Sequence, residues 1–374
     1  MRQPDALEQR QRAGFTLVEM LITVVLSTLV SVMIYTVFIS QTQAFRAQAD
    51  MGSMQQNLRV AMEMLSRDVA SAGFGTGHDG GSWGESGQAG LASKPVYAIH
   101  VRENLAGAGP DAVEIFMMDP NRSTWALTDM NVRQSCGTSS ITFHTDYPTA
   151  AAQYSASGTR NRIMCFAPSV RGRPASFIWA INGVGSGQSV PVNANSQADY
   201  LAECPNNLPA MMICGPPVYV AYYIDNNASD GKGIGGPKLP VLYYVPDLFA
   251  ANLTGGYPTD NDIPVALGIE DLQVQVCEPG LGADCDLDAS WHYRHDLSAS
   301  NVKWHNLGAA RIMLTARTLR QDEKFSSIST PIDLDITDSF SVAATADGFH
   351  RRVARTEVSL RNAIGTWQVT RGNW

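Results

Sequence analysis

Residues 12–40 read RAGFTLVEMLITVVLSTLVSVMIYTVFIS, and this stretch decides the fold. Between Phe15 and Ile39 the only charge is Glu19. A helix rising about 1.5 Å per residue crosses a bilayer with roughly 20 such residues, so this run is long enough. A carboxylate inside hydrocarbon costs about 3 kcal/mol or more unless it finds a partner, which makes Glu19 a candidate functional residue. An ordinary signal peptide has a shorter apolar core followed by a small-residue cleavage site. This core is too long, and its polar flank at Gln41 offers no such site. A plain membrane anchor accounts for the apolar length but not for the order of residues from Gly14 to Glu19.

Downstream the chain turns polar without breaking. Residues 41–75, QTQAFRAQADMGSMQQNLRVAMEMLSRDVASAGFG, contain no proline. Met54, Leu58, Met62, Leu65 and Val69 recur at helical spacing and form one apolar face. The pattern predicts a helix from Phe15 to Ala72, about 85 Å long. Gly73-Phe74-Gly75 is its expected stop.

Gly14-Phe15-Thr16-Leu17-Val18-Glu19 resembles the type III signal of type IV pilins and type II secretion pseudopilins. Residues 57–75, NLRVAMEMLSRDVASAGFG, are similar to a segment of the minor pilins of the PilW type. So are VALGIEDLQVQVC (265–277), ARIMLTARTLR (310–320) and HRRVARTEVSLRN (350–362), which correspond to closing strands there. The resemblance covers both ends of the chain and leaves roughly 80–260 without a distinctive match. It implies that a prepilin peptidase cuts after Gly14 and methylates the new amino terminus, Phe15. It also implies that Glu19 pairs with the terminal ammonium of a neighbouring subunit, giving a buried charge its counter-charge and fixing how subunits dock. Major pilins often carry a helix-breaking proline in the first half of this helix, but none lies between Phe15 and Pro95 here.

At 374 residues with a net charge of −8, the chain can bury a sizeable core and is acidic overall. Removal of residues 1–14, which hold Arg2, Arg10 and Arg12 against Asp5 and Glu8, leaves it more acidic still. That balance argues against nucleic acid as a partner. Charged residues make up 17%, below the roughly 25% of ordinary soluble domains. Arg10 and Arg12 before the apolar run fit a cytoplasmic amino terminus and a periplasmic bulk. The six cysteines, Cys136, Cys165, Cys204, Cys214, Cys277 and Cys285, all fall in the exported part, where disulfides persist. Short spacings favour Cys204 with Cys214 and Cys277 with Cys285, leaving Cys136 with Cys165. No CxxC supports a zinc site.

Beyond residue 90 the chain reads as short strands between turn-rich loops. The strands are expected at 96–101, 111–118, 139–145, 162–167, 176–181, 218–225, 239–245, 269–277, 310–320 and 351–362, all rich in β-branched or aromatic residues. No helices alternate with them, so pairing should be mostly antiparallel. The expected class is α+β with a pilin fold: a long amino-terminal helix, transmembrane in its first half, packed on an antiparallel sheet head. The expected segments are 1–14 as leader, 15–40 as transmembrane and filament-core helix, 41–73 as its amphipathic continuation, and 74–374 as periplasmic or extracellular head.

No stretch carries convincing chemistry. Gly80-Gly-Ser82-Trp-Gly84 has the spacing of a nucleophile elbow but lacks the strand and helix that motif needs. His292 and His295 lack further spaced metal ligands. Asp225, Asn227 and Asp230 are weak calcium candidates, since the EF-hand positions for Gly and Glu fall on Asp230 and Gly236. Asp284, Asp286 and Asp288 are weaker again, so no cofactor and no catalysis are expected. The resemblance implies a minor pilin that primes pilus assembly and sits at the tip. Its partners would be other minor pilins, the major pilin, a tip adhesin, the prepilin peptidase and the inner-membrane assembly platform. Alternatives are a minor pseudopilin of type II secretion, or a glycan- or surface-binding head using Trp83, Trp125 and Trp291.

Overall fold

The apolar run and its polar continuation form one helix, Leu17–Ser71, within two residues of the expected bounds. The computed structural model describes residues 16–76, 81–82, 96–102, 110–119, 124–127, 139–143, 150–155, 161–170, 173–193, 211–225, 239–248, 262–277, 291–292, 308–321 and 348–360. By internal contacts the chain divides into two units, Met1–Gly52 and Ser53–Trp374. The helix contains a single glycine, Gly52, and a Cβ added there would meet nothing within 4 Å. No packing reason keeps it a glycine. Gly52→Ala should therefore stabilise the helix by about 1 kcal/mol. Slower amide exchange across residues 50–56 is the expected reading, and unchanged exchange would sink the prediction.

In the second unit, Met54, Leu58, Ala61, Leu65 and Val69 are the buried face of the helix. Met62, expected on that face, is only partly buried beside it, and Ala61 takes the central position. A methyl there lets the helix backbone come close to the strands. The helix ends at Ser71, and Gly73 follows with φ of 77°, the left-handed conformation that glycine adopts without a Cβ penalty. Gly73 N–H then donates to Phe116 O at 3.0 Å, and Met118 N–H to Phe74 O at 2.7 Å, so the turn is laced to a strand. Two side chains fix the helix further: Asn57 Nδ2 donates to Leu267 O at 3.1 Å, and the Tyr222 hydroxyl donates to Asp68 Oδ2 at 2.6 Å.

All the described strand pairings are antiparallel, but they form several sheets rather than one. A five-stranded sheet has the order Ile263–Leu267, Val241–Val245, Pro217–Asp225, Ala112–Met118, Ile99–Arg102. A closing four-stranded sheet has the order Trp291–His292, Ile269–Cys277, Ala309–Arg317, Arg351–Ser359. The chain passes from the first sheet to the second at Gly268, whose φ is 78° and where a Cβ would come 2.7 Å from Arg317 O. Only glycine fits that crossing. The helix face, Ile115, Tyr222 and Leu242 of the first sheet, and Leu272, Ile312 and Leu314 of the second close a single core.

Between Ala112–Met118 and Pro217–Asp225 the chain inserts a second body. Its four-stranded sheet has the order Thr124–Leu127, Met211–Gly215, Arg162–Val170, Arg173–Ala180, and a small pair, Ser140–Thr142 with Ser189–Pro191, lies beside it. Phe143, Tyr154, Phe177 and Trp179 fill a core of their own there. Phe116 and Met118 from the five-stranded sheet meet Met164 and Ile178, which seals the insertion to the head.

The cysteine pairing differs from the expectation. Cys165 is bonded to Cys214, not to Cys136, and Cys204 is therefore not the partner of Cys214. The cause is strand register: Cys214 lies directly opposite Cys165 in the antiparallel ladder, with Cα atoms 4.1 Å apart. Closeness in sequence did not decide it. Cys277 is also disulfide-bonded. Cys136, Cys204 and Cys285, among which its partner falls, all lie outside the described residues.

Candidate functional site

The helix begins where Thr16 caps it. Thr16 O accepts the first intrahelical bond from Met20 N–H, and Thr16 Oγ1 accepts from Glu19 N–H, both at 3.2 Å. Thr16 with Glu19 three residues later is the sequence signature of a capping box, which the search for long apolar runs passes over. From there the large apolar side chains stand free, from 82% exposed at Leu17 to 37% at Ile39. The hydroxyls among them are turned back onto the helix. Thr23, Ser27, Thr28, Ser31, Thr36 and Thr42 each donate to a backbone carbonyl three or four residues earlier, at 2.6–2.9 Å. Such self-satisfaction is what a hydrocarbon surrounding demands, because no water is available there. This helix is long and apolar enough to cross a membrane.

Glu19 sits in the first turn of that surface and is exposed. No described residue pairs with its carboxylate, and the helix carries no basic residue before Arg46. Negative charge is favoured at a helix amino terminus, but the dipole supplies no counter-charge of full strength. Gly14 and Phe15 lie outside the described residues, as do Asn227, Asp230, Trp83 and His295. Asp225 ends its strand, and Asp262 is the carboxylate that the Tyr223 hydroxyl meets, at 2.5 Å. Trp125 and Trp291 fall in strands of two different sheets. Among the described residues no three His, Cys, Asp or Glu side chains gather as metal ligands.

The charged groups of the head serve its architecture. Glu114, 1% exposed, has His100 Nδ1 at 3.1 Å from Oε2, accepts from the Tyr219 hydroxyl at 2.5 Å and is ion-paired with Arg102. Burial works to raise its pKa, but the hydrogen bond and charge of His100, the Arg102 guanidinium and Tyr219 outweigh it and hold the carboxyl below its usual range. In the closing sheet, Glu270 receives Arg351 Nε at 2.7 Å and Arg317 Nη1 at 3.1 Å, and the Arg317 guanidinium stacks 4.2 Å over Phe349. This gives the first arginine of the Arg351-Arg352 pair a structural task. Asp271 is different. Burial pushes its carboxyl up to about 6, against the opposing hydrogen bonds from Gln273 Nε2 and Leu272. An acid raised in the folded state holds more protons there than in the unfolded chain, so its contribution to stability falls as pH rises from about 4 to about 6. Asp271→Asn should match the parent near pH 4 and exceed it by about 2 kcal/mol at pH 7, read from denaturant midpoints at both pH values. Equal stability at pH 7 would contradict this account.

The described chain thus joins an exposed apolar helix, with its serine and threonine hydroxyls bonded to its own backbone, to antiparallel sheets. Residues 9–35 match the prokaryotic N-terminal methylation motif. Residues 221–362 match PilW, the type IV pilus-assembly protein W. The chain thus carries a stretch that matches the PilW family model behind one that matches the N-terminal methylation motif. The PilW match takes in Val241–Val245, Ile263–Leu267 and most of Pro217–Asp225 from the five-stranded sheet, and the closing sheet; the insertion with its own core lies outside both matches. Among solved structures, a type IV-like pilin from Thermus thermophilus is similar over 83% of this chain and 96% of its own, at 12% identity and a TM-score of 0.31. No curated protein matches the chain.

Proposed function

We propose that this chain is a minor pilin that primes assembly of a type IV pilus and takes a place in its tip complex. The observation that carries this reading is the exposed apolar run from Leu17 to Ile39, whose one charge is Glu19, joined to a stretch that matches the PilW model. On this reading prepilin peptidase removes residues 1–14, and Phe15 becomes the methylated amino terminus. Residues 15–40 then hold the subunit in the inner membrane and later line the filament core. Residues 41–73 continue the helix, and 74–374 form the head on the far side of the membrane. Glu19 takes the terminal ammonium of a neighbouring subunit, which removes the cost of an isolated carboxylate in hydrocarbon and fixes axial register. The partners are other minor pilins, the major pilin, a tip adhesin and the inner-membrane assembly platform. A head of roughly 300 residues is bulky for close-packed copies along a filament, which supports a minor role.

The test is the intact mass and amino-terminal sequence of the protein from its own host, with and without the prepilin peptidase. A peptidase-dependent, methylated start at Phe15 is expected. A chain starting at Met1, or one cut beyond Ser40, would defeat the reading. A pseudopilus would use the same helix, and the PilW match favours the pilus. Loss of the gene should abolish surface pili and leave secretion of exoproteins intact; the reverse result would assign the chain to secretion.

A further inference from the structure

We propose that Phe38, Thr42, Phe45 and Arg46 form a seat for phospholipid headgroups, with Arg46 reaching the phosphate of an anionic lipid. The inference rests on the reading of residues 15–40 as a membrane helix and carries it past Ile39. The apolar run ends there, and Ser40, Gln41, Thr42 and Gln43 follow. One side of the helix stays apolar for longer. Phe38 and Phe45 stand at i and i+7, on the same side of the helix, and are 64% and 69% exposed. Thr42 lies between them on that side. Its hydroxyl donates to Phe38 O at 2.8 Å, so the polar atom is turned to the backbone. The buried residues of the helix begin only at Met54, so packing within this chain does not account for Phe45.

Lengths along the helix place this side at the membrane surface. Residues 17–39 make about 35 Å of helix, which fills a hydrocarbon core of about 30 Å at a modest tilt. Phe45 is about 9 Å past Ile39, and the headgroup layer adds roughly 5–8 Å on each side. The Cα–Cβ bonds of a helix tilt toward its amino terminus, so a side chain covers the turn before its own Cα. The Phe45 ring therefore leans back into the headgroup layer, whereas a ring leaning outward would stand in water. Amphipathic and aromatic side chains collect at that level. Arg46 leans the same way. It is exposed and is the first basic residue of the helix, and its guanidinium meets a phosphate as a fork of donors. Asp50, one turn further out, is about 16 Å past Ile39 and clear of the phosphates. With no proline between residues 15 and 45, the helix is a ruler, and an anchor at its outer end also sets how deep Glu19 lies.

The experiment is tryptophan quenching in the full chain reconstituted into phosphatidylcholine vesicles with and without phosphatidylglycerol. The parent chain is the blank for its own tryptophans. Phe45→Trp reports the seat, and Leu29→Trp reports the middle of the apolar run. The lipid carries bromine either high on its acyl chains or at their ends. The signal added by Phe45→Trp should be quenched about twofold more by high bromine, and that added by Leu29→Trp more by end bromine. Moving the high bromine from phosphatidylcholine to phosphatidylglycerol should raise quenching at Phe45→Trp by about two- to fivefold, and Arg46→Gln should remove that preference. An unquenched Phe45→Trp beside a quenched Leu29→Trp overturns the proposal and leaves this side for a protein partner. Quenching that is equal for the two headgroups, or a preference that Arg46→Gln leaves unchanged, overturns the assignment of Arg46 to the phosphate. An unquenched Leu29→Trp defeats the membrane reading itself, and the second reporter tells that failure apart from the failure of the seat.

Discussion

Leu65→Ala lowers the stability of the head by about 3–5 kcal/mol. Leu65 is fully buried on the helix face, with Ala61 and Val69 one turn to either side, in the core that also takes Ile115, Tyr222, Leu272 and Ile312. Truncation removes the transfer free energy of three carbons and leaves a cavity between a helix and two sheets. Neither sheet can collapse into it freely, because Asn57, Tyr222 and the Gly73 turn tie the helix at both ends of the contact. The change is measured as a shift in denaturant midpoint of the detergent-solubilised full chain, followed by tryptophan fluorescence. Glu63→Ala, on the exposed face of the same helix, serves as the control and should shift it by no more than about 0.5 kcal/mol. If the two variants unfold together, the helix does not share a core with the strands.

The second large effect is loss of the Cys165–Cys214 bond. The two residues are 49 apart in sequence, and opening a loop of that size releases chain entropy in the unfolded state worth about 4 kcal/mol. Cys165→Ala with Cys214→Ala should thus destabilise the insertion by up to that amount, while the helix core, which contains neither residue, is less affected. Unfolding probed by amide exchange separates the two regions. Peptide mapping without reduction supplies the independent check. A peptide joining Cys204 to Cys214 would show that the register between Arg162–Val170 and Met211–Gly215 is wrong, and the stability prediction would fall with it.

Most of the architecture is legible in the sequence because it follows from local patterns. The helix bounds come from an apolar run and a glycine stop, and the ten strands expected from β-branched and aromatic residues are all present. What escapes is whatever depends on neighbours distant in sequence. Ile263–Leu267 carries Pro264, which argues against a strand, yet at the edge of its sheet a missing N–H is tolerated. Met211–Gly215 reads as neither strand nor helix, and its flanking strands hold it in place. The disulfide went unread for the same reason, since spacing favours neighbours whereas the ladder brings together cysteines 49 residues apart. At the candidate site, Glu19 announces itself as a costly charge, while Thr16 does not, because a threonine before an apolar run is unremarkable until its oxygen is seen to accept.

The core around the helix has a consequence in time. Asn57 and Leu267 are 210 residues apart, and Val358 near the end of the described chain belongs to the same core. During synthesis the helix emerges early, and the closing strands that cover its apolar face come last. Until then Leu58, Leu65 and Val69 have only the five-stranded sheet to lean on, and contacts this distant form slowly. The insertion, with a local core and its own disulfide, can mature while the rest waits. The chain is thus most prone to aggregation and proteolysis in the interval before its last strands arrive. A cell making it gains from holding the growing head close to the membrane until the closing sheet is complete.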